Sequence, residues 1–251
     1  MAEALLGGLL SAGRPAAGLA VVEISPERRV LLAAAHPGVA VLAAPAPARS
    51  IVVATKPGDV ASALTAAATV APGLRRVLSI AAGVGTAALA AALGGDVAVV
   101  RAMPNTPALV GEGASAICAG PSAGNDDLDW AEMLLGSVGT VVRVPESSMD
   151  AVTGLSGSGP AYVFLLAQAM VEAGIAAGLP AEVSDRLTRQ TLLGAARLLA
   201  TSDEVPQELR AAVTSPNGTT AAGIAVLEER GFPSAVLDAV AAAAARSAEL
   251  G

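Results

Sequence analysis

The segment Val213-Thr-Ser-Pro-Asn-Gly-Thr-Thr220 brings hydroxyls, a proline and a glycine together immediately ahead of the helix-forming run Ala221–Glu229. Small polar residues of this kind make a turn whose final backbone N–H groups open a helix, and such an end attracts an anion of carboxylate size. The N–H groups of Asn217, Gly218, Thr219 and Thr220 with the Ser215 hydroxyl are the candidate cradle, and Val213 stands at its entry. An ordinary capped helix, with Thr219 as the cap, is the plain alternative. A second segment, Asp150-Ala-Val-Thr-Gly-Leu-Ser-Gly-Ser-Gly-Pro-Ala-Tyr162, reads as a glycine-rich loop before a long apolar helix, with Pro160 in its first turn.

These residues need elements to hold them, and the hydropathy pattern divides the chain in two. Up to about residue 145, short β-branched runs (19–24, 39–42, 50–54, 77–80, 97–101, 114–119 and 140–144) alternate with helical stretches (26–35, 60–68, 86–93 and 126–135). Alternation of this kind predicts an α/β fold with a mostly parallel, doubly wound, Rossmann-like sheet. Beyond Met149 the strand signal stops, and helices are expected over 161–177, 181–201, 206–213, 219–230 and 234–250. Two domains follow, 1–146 for dinucleotide binding and 147–251 as an all-α domain. The helix from Ala161 is apolar on nearly every face, which predicts burial against another subunit, or against its own bundle.

At 251 residues with a net charge of -7 and scattered basic residues, the chain lacks the clustered Lys and Arg of a nucleic-acid surface. Cys118 and His36 are each alone, so neither an internal disulfide nor a Cys/His metal cluster is expected. The longest apolar run, 160–181, carries Gln168 and Glu172, and the N-terminal run contains Glu3 without a basic flank; neither a membrane span nor a secretory signal is read there. A cytoplasmic protein acting on a small molecule is the expectation.

Together with Val53-Ala-Thr-Lys-Pro57 and Arg101-Ala-Met-Pro-Asn-Thr-Pro107, the two turn segments give four separated motifs, in order, in which the chain resembles the pyrroline-5-carboxylate reductase family from Met1 to about Phe232. The resemblance implies reduction of a cyclic imine to L-proline by a reduced nicotinamide, NADPH or NADH, with NADPH favoured on family grounds. It implies cofactor contacts at Met1, Ser25, Ala54, Thr55, Lys56 and Asn105, and a catalytic or proton-relaying hydroxyl at Thr220 beside the ring nitrogen; Ala82 and Gly83 are the cofactor contacts expected from the similar strand-to-loop exit Ala81-Ala-Gly-Val84. It also implies a C-terminal dimerisation domain, assembly of dimers into decamers, and a carboxylate loop serving a site that a neighbouring subunit completes. Asn217 departs from the glycine usual in the family, and Asn tolerates a left-handed backbone better than most residues. Cofactor choice stays open at the residue level, because Arg28 or Arg29 suits a 2'-phosphate while Glu23 suits a free 2'-hydroxyl.

One departure concerns the start. A dinucleotide-binding domain opens with a strand and a G-x-G-x-x-G turn that meets the pyrophosphate, whereas this chain opens in Ala2–Leu10, the helix that would follow. Met1 then falls at the methionine of the family motif, and a native chain that begins upstream is expected. The missing strand would lie mid-sheet, so its two neighbours should be unpaired. Two other readings remain: a β-hydroxyacid-type dehydrogenase, whose interdomain lysine is absent from 159–177, and a cofactor-free structural or regulatory oligomer subunit.

Overall fold

The computed structural model describes residues 1–94 and 96–250. In chain order its elements are α1 (Ala2–Ser11), β1 (Ala20–Val22), α2 (Pro26–Ala35), β2 (Ala40–Leu42), β3 (Ser50–Val53), α3 (Val60–Val70), β4 (Arg76–Ser79), α4 (Thr86–Leu93), β5 (Ala98–Met103), β6 (Gly113–Ala119), α5 (Asn125–Leu135), β7 (Gly139–Arg143), α6 (Met149–Val152), α7 (Gly159–Ala176), α8 (Ala181–Thr201), α9 (Pro206–Ala212), α10 (Thr219–Glu229) and α11 (Phe232–Leu250). They form two compact units, Met1–Ser158 with the chain from Ala241 onward, and Gly159–Val240. The compact units part between Ser158 and Gly159. Met149 is fully buried against Ala116 and Cys118, with Val152 beside it, so the segment after β7 stays with the sheet. Gly251, the last residue of the expected second domain, lies outside the described residues.

In the first unit, β3-β4-β5-β6-β7 form one sheet, parallel at every pair except β5 with β6, and β1 and β2 form a separate parallel pair. Side chains alternate across a strand, so neighbouring residues enter opposite layers. Leu78 and Val100 pack with Leu5, Leu9, Leu134 and Leu135 of α1 and α5, whereas Val77 and Val99 pack with Val60, Leu64 and Leu89 of α3 and α4. Helices therefore cover both faces, as a doubly wound sheet requires. Among the described residues, β1 and β3 each keep one edge without a strand partner. β2 and β7 likewise each have a single strand partner.

The stretch from Asp150 to Tyr162 corrects the sequence reading. It is not an open loop: α6 runs into a π turn over Thr153–Gly157, and α7 follows after Ser158. The hydroxyls of this stretch bond back to the preceding turn, Thr153 to the Met149 carbonyl at 2.9 Å and Ser156 to the Val152 carbonyl at 3.1 Å, which small residues allow within a helix. Gly157 packs against the Met103 methyl, which would have to shift to admit a Cβ there. The helical run Glu146–Ala176 is 31 residues and, by length and composition alone, apolar enough to cross a membrane, a property the sequence reading did not assign to it.

In the second unit α7 and α8 pack closely at Gly174, where a Cβ would strike the Ser184 hydroxyl that donates to the Val171 carbonyl at 2.8 Å. Gly178 (φ 99°) ends α7 in a left-handed cap, with the Leu179 N–H bonded to the Gly174 carbonyl. Pro206 opens α9, where a missing N–H costs nothing.

Candidate functional site

Because β3, β4 and β5 run parallel in one sheet, the chain leaves all three at a common edge, the edge at which open α/β sheets bind ligands. The exits carry Ala54-Thr55-Lys56, Ala81-Ala82-Gly83-Val84 and Pro104-Asn105. Ala54, Thr55 and Lys56 are exposed, and the Lys56 ammonium has no ion-pair partner among the described residues. Ala82 is exposed. Gly83 is buried with φ 75°, a backbone conformation that favours glycine, and a Cβ there would sit tightly, 3.3 Å from the Leu250 carbonyl. Of the two expected contacts in this loop, Ala82 is the one open to a ligand.

Asn105 is 8% exposed and both ends of its amide are engaged: Nδ2 donates to the Ser156 carbonyl at 3.0 Å and Oδ1 accepts the Ala114 N–H at 2.9 Å. The side chain thus ties the β5 exit to the π turn and to the start of β6, and one N–H remains for a ligand. Met1 is the exposed N-cap of α1.

Beyond β1, Ser25 caps α2 by accepting the Arg28 N–H at 3.2 Å and donates to Glu27 at 2.7 Å. The Glu23 carboxylate accepts the Ser25 N–H at 2.9 Å and pairs with Arg28 at 3.3 Å, and Arg28 also lies 3.5 Å from Glu3. Arg29 donates to the Glu23 and Ile24 carbonyls, both at 2.9 Å. Both arginines put forward for a 2'-phosphate are therefore already bonded, Arg29 to the backbone and Arg28 to two carboxylates. The sequence shows the charges without showing these partners.

In the second unit the turn between α9 and α10 spends one of the four N–H groups expected for the cradle, because that of Gly218 is bonded to the Ser215 carbonyl. Asn217 takes the left-handed conformation (φ 59°), and among the described residues it is the one non-glycine with positive φ. Gly218 donates its N–H to the Ser215 carbonyl at 3.0 Å and leaves no room for a Cβ against the Ser215 hydroxyl. α10 begins at Thr219 with Gly218 as its N-cap and no side chain capping it. The alternative, Thr219 capping the helix, is not what forms; the N–H groups of its first turn stay unbonded and point out of the helix end. Ser215, Asn217, Thr219 and Thr220 are exposed, as is Val213. The base of the turn is fixed by the Thr214 hydroxyl on the Arg210 carbonyl at 2.6 Å and by the Arg210–Glu228 pair at 3.1 Å.

One group escaped the sequence reading altogether. Glu146 accepts the Thr86 N–H at 2.7 Å and the Thr86 hydroxyl at 2.6 Å, with the buried Arg101 guanidinium at 3.4 Å. Partial burial pushes its carboxyl up; the Thr86 bonds and the Arg101 charge outweigh that and hold it below the ordinary 4.5. A signal for it existed in Gly83-Val-Gly-Thr-Ala-Ala88, a G-x-G-x-x-A pattern between a strand and a helix. No spacing rule links that pattern to residue 146.

Comparison with known proteins places these features in a family. A sequence model described as pyrroline-5-carboxylate reductase dimerisation matches residues 146–250. A pyrroline-5-carboxylate reductase from Synechocystis is 52% identical over 153 residues, 61% of this chain and 57% of that protein, and one from Arabidopsis thaliana is 49% identical over 151 residues, 60% and 55% of the two chains. The chain thus aligns with less than two thirds of the length of these curated relatives. Among solved structures, a pyrroline-5-carboxylate reductase from Coxiella burnetii superposes with a TM-score of 0.93 at 33% identity, covering 100% of this chain and 94% of its own. The Plasmodium falciparum pyrroline carboxylate reductase, solved with NADP bound, gives a TM-score of 0.84 at 29% identity over 99% and 94% of the two chains.

Proposed function

From the premise that this chain belongs to the pyrroline-5-carboxylate reductase family, we propose that it reduces Δ1-pyrroline-5-carboxylate to L-proline at the expense of NADPH or NADH. The observation that carries the reading is the uncapped start of α10, preceded by a left-handed Asn217 and a glycine packed against the Ser215 hydroxyl. Unbonded N–H groups and the positive end of the helix dipole hold the substrate carboxylate, and the Ser215 hydroxyl completes the cradle. Thr220, in the first turn of the same helix, hydrogen-bonds the ring nitrogen and holds its proton. It need not ionise, because a protonated imine is already electrophilic at carbon.

The donor set of the first unit fits a nicotinamide dinucleotide at both ends. Ser25 and the Glu23–Arg28 pair lie at the exit of β1, where an adenosine ribose binds in doubly wound folds, and Thr55, Lys56, Ala82 and the free N–H of Asn105 line the exits of β3, β4 and β5. When bound, the cofactor supplies the hydride. The chain's own residues bind, orient and keep the imine protonated. That the Plasmodium relative was solved with NADP supports this assignment.

The active form is proposed to be a homodimer built through the helical unit, with assembly up to decamers, in the cytoplasm. Support comes from the dimerisation match and from the apolar side chains left open on α7, among them Val163, Phe164, Leu165 and Leu166. A second copy covers them here, and no membrane is invoked for the Glu146–Ala176 run.

Oxidation of NADPH and NADH in the presence of Δ1-pyrroline-5-carboxylate, with proline identified as the product, tests the whole reading. Proline formed at a rate that depends on both reactants is the expected result. Intact oligomers that bind neither nicotinamide would transfer the chain to the class of cofactor-free subunits.

A further inference from the structure

The G-x-G-x-x-A turn after β4 has the local form of a phosphate-binding turn, yet the place at the head of α4 is filled from within the protein. Glu146, carried on the segment after β7, reaches the first turn of α4 and takes both hydrogens that Thr86 offers, at 2.7 and 2.6 Å. Its carboxylate also faces Arg101, which is 8% exposed and sits on β5 opposite Ser79 of β4 and Cys118 of β6. A carboxylate at a helix start satisfies orphan N–H groups and meets the positive end of the dipole. Here it also joins three places in the chain: the end of the 81–85 loop, the middle of β5 and the turn after β7.

Resting on the reductase reading above, we infer that Glu146 is a positioning residue whose carboxylate serves as a built-in anion, clasping the 81–85 loop to β5 and so fixing the surface on which the nicotinamide end of the cofactor lies. Gly83 shows that the loop has little slack on its other side, since the last turn of α11 already fills the space that a Cβ would need. Ala82, beside Gly83 and four residues ahead of the clasp at Thr86, is the exposed residue of the loop, and the short stretch between the two constrains it. With the carboxylate removed, the Thr86 N–H, the Thr86 hydroxyl and the Arg101 guanidinium are left facing a hole of carboxylate shape. The hole should accept a small carboxylate from solution.

The experiment compares the unmodified 251-residue chain with Glu146→Ala and Glu146→Gln, reading amide hydrogen exchange over residues 81–88 and the dissociation constants of NADPH and NADH by fluorescence titration, each with and without formate. In Glu146→Ala the exchange should quicken and cofactor binding weaken, each about tenfold, the scale of a lost hydrogen bond to a charged group. Formate should restore most of both in the Ala variant and little in the Gln variant, whose amide occupies the hole. Unchanged exchange, or faster exchange with unaltered cofactor affinity, overturns the inference; so does a loss that formate cannot mend. Should Glu146→Ala fail to fold, Thr86→Val removes one arm of the clasp only, and a few-fold weakening is then the expected result, with none overturning it. Failure of the unmodified chain to bind either nicotinamide would sink the reductase reading, while the exchange data would still decide whether the clasp exists.

Discussion

Thr220 and Gly218 sit two residues apart and are expected to fail in different ways. Thr220→Ala removes the hydroxyl assigned to the ring nitrogen, so kcat should fall about tenfold or more while the thermal midpoint and the oligomer stay unchanged. Recovery in Thr220→Ser would confirm that the oxygen is what counts. Gly218 has an ordinary φ of -78°, so alanine brings no backbone strain; its Cβ instead displaces the Ser215 hydroxyl. The expected outcome of Gly218→Ala is a KM for the pyrroline raised several-fold with kcat little altered, read from initial rates, since a ground-state contact is lost. Lys56 is the single lysine in the sequence, so an amine-acylating reagent reports on it and the N-terminus alone. Saturating NADPH should slow Lys56 acylation, as followed by peptide mass spectrometry; equal rates with and without cofactor would remove Lys56 from the site. Cys118 is a contrasting case, because burial first and the Glu146 charge second push its thiol up to about 11, against the smaller pull of Arg101. It is a packed hydrophobe rather than a nucleophile, and it should resist alkylation until the protein unfolds.

At the scale of elements, the Glu146 clasp makes a pH prediction. The folded-state pKa of Glu146 is lowered from 4.5, so the stability it contributes is fully present above about pH 4.5 and is lost as the pH falls through the folded value. Thermal midpoints of the unmodified chain and Glu146→Gln should therefore differ most near neutrality and converge on acidification below pH 4.5; a constant gap across that range would contradict the assignment. α7 makes the second element-level prediction. Phe164 and Leu165 are each 67% exposed, and on a helix of this apolarity they have the character of residues awaiting a partner surface. Glu in place of Phe164 should shift the chain toward monomers in light scattering, because an unpaired charge would be buried at the contact. Elements were also where sequence reading was most dependable: 26–35, 86–93 and 181–201 were bounded as the structure bounds them, since cap residues and proline mark those ends. The exception is 150–162, where glycine and serine suit a loop as well as a helix. Their hydroxyls instead bond within the helix, a competition that composition alone does not resolve.

For the molecule as a whole, residue identity and order carried a great deal. The period of the apolar residues set the fold class, alternating strand and helix ahead of a helical region, because burial on two sheet faces and burial on helix stripes leave different spacings. The anion-suited turn at 213–220 was legible for a similarly local reason: its left-handed residue, its glycine and its helix start are all consecutive. Resemblance in four motifs then pointed to the family. What the chain could not disclose by itself was which polar and charged groups already have partners within the fold. Arg28, Arg29 and Asn105 read as open to a ligand, and folding gives all three internal partners; Glu146 read as nothing, and folding sets it on Thr86, 60 residues away in sequence. Local spacing determines where a backbone turns and which face is apolar, while partner choice among distant polar groups depends on which strands lie side by side. That order is fixed only by the packing of the whole sheet.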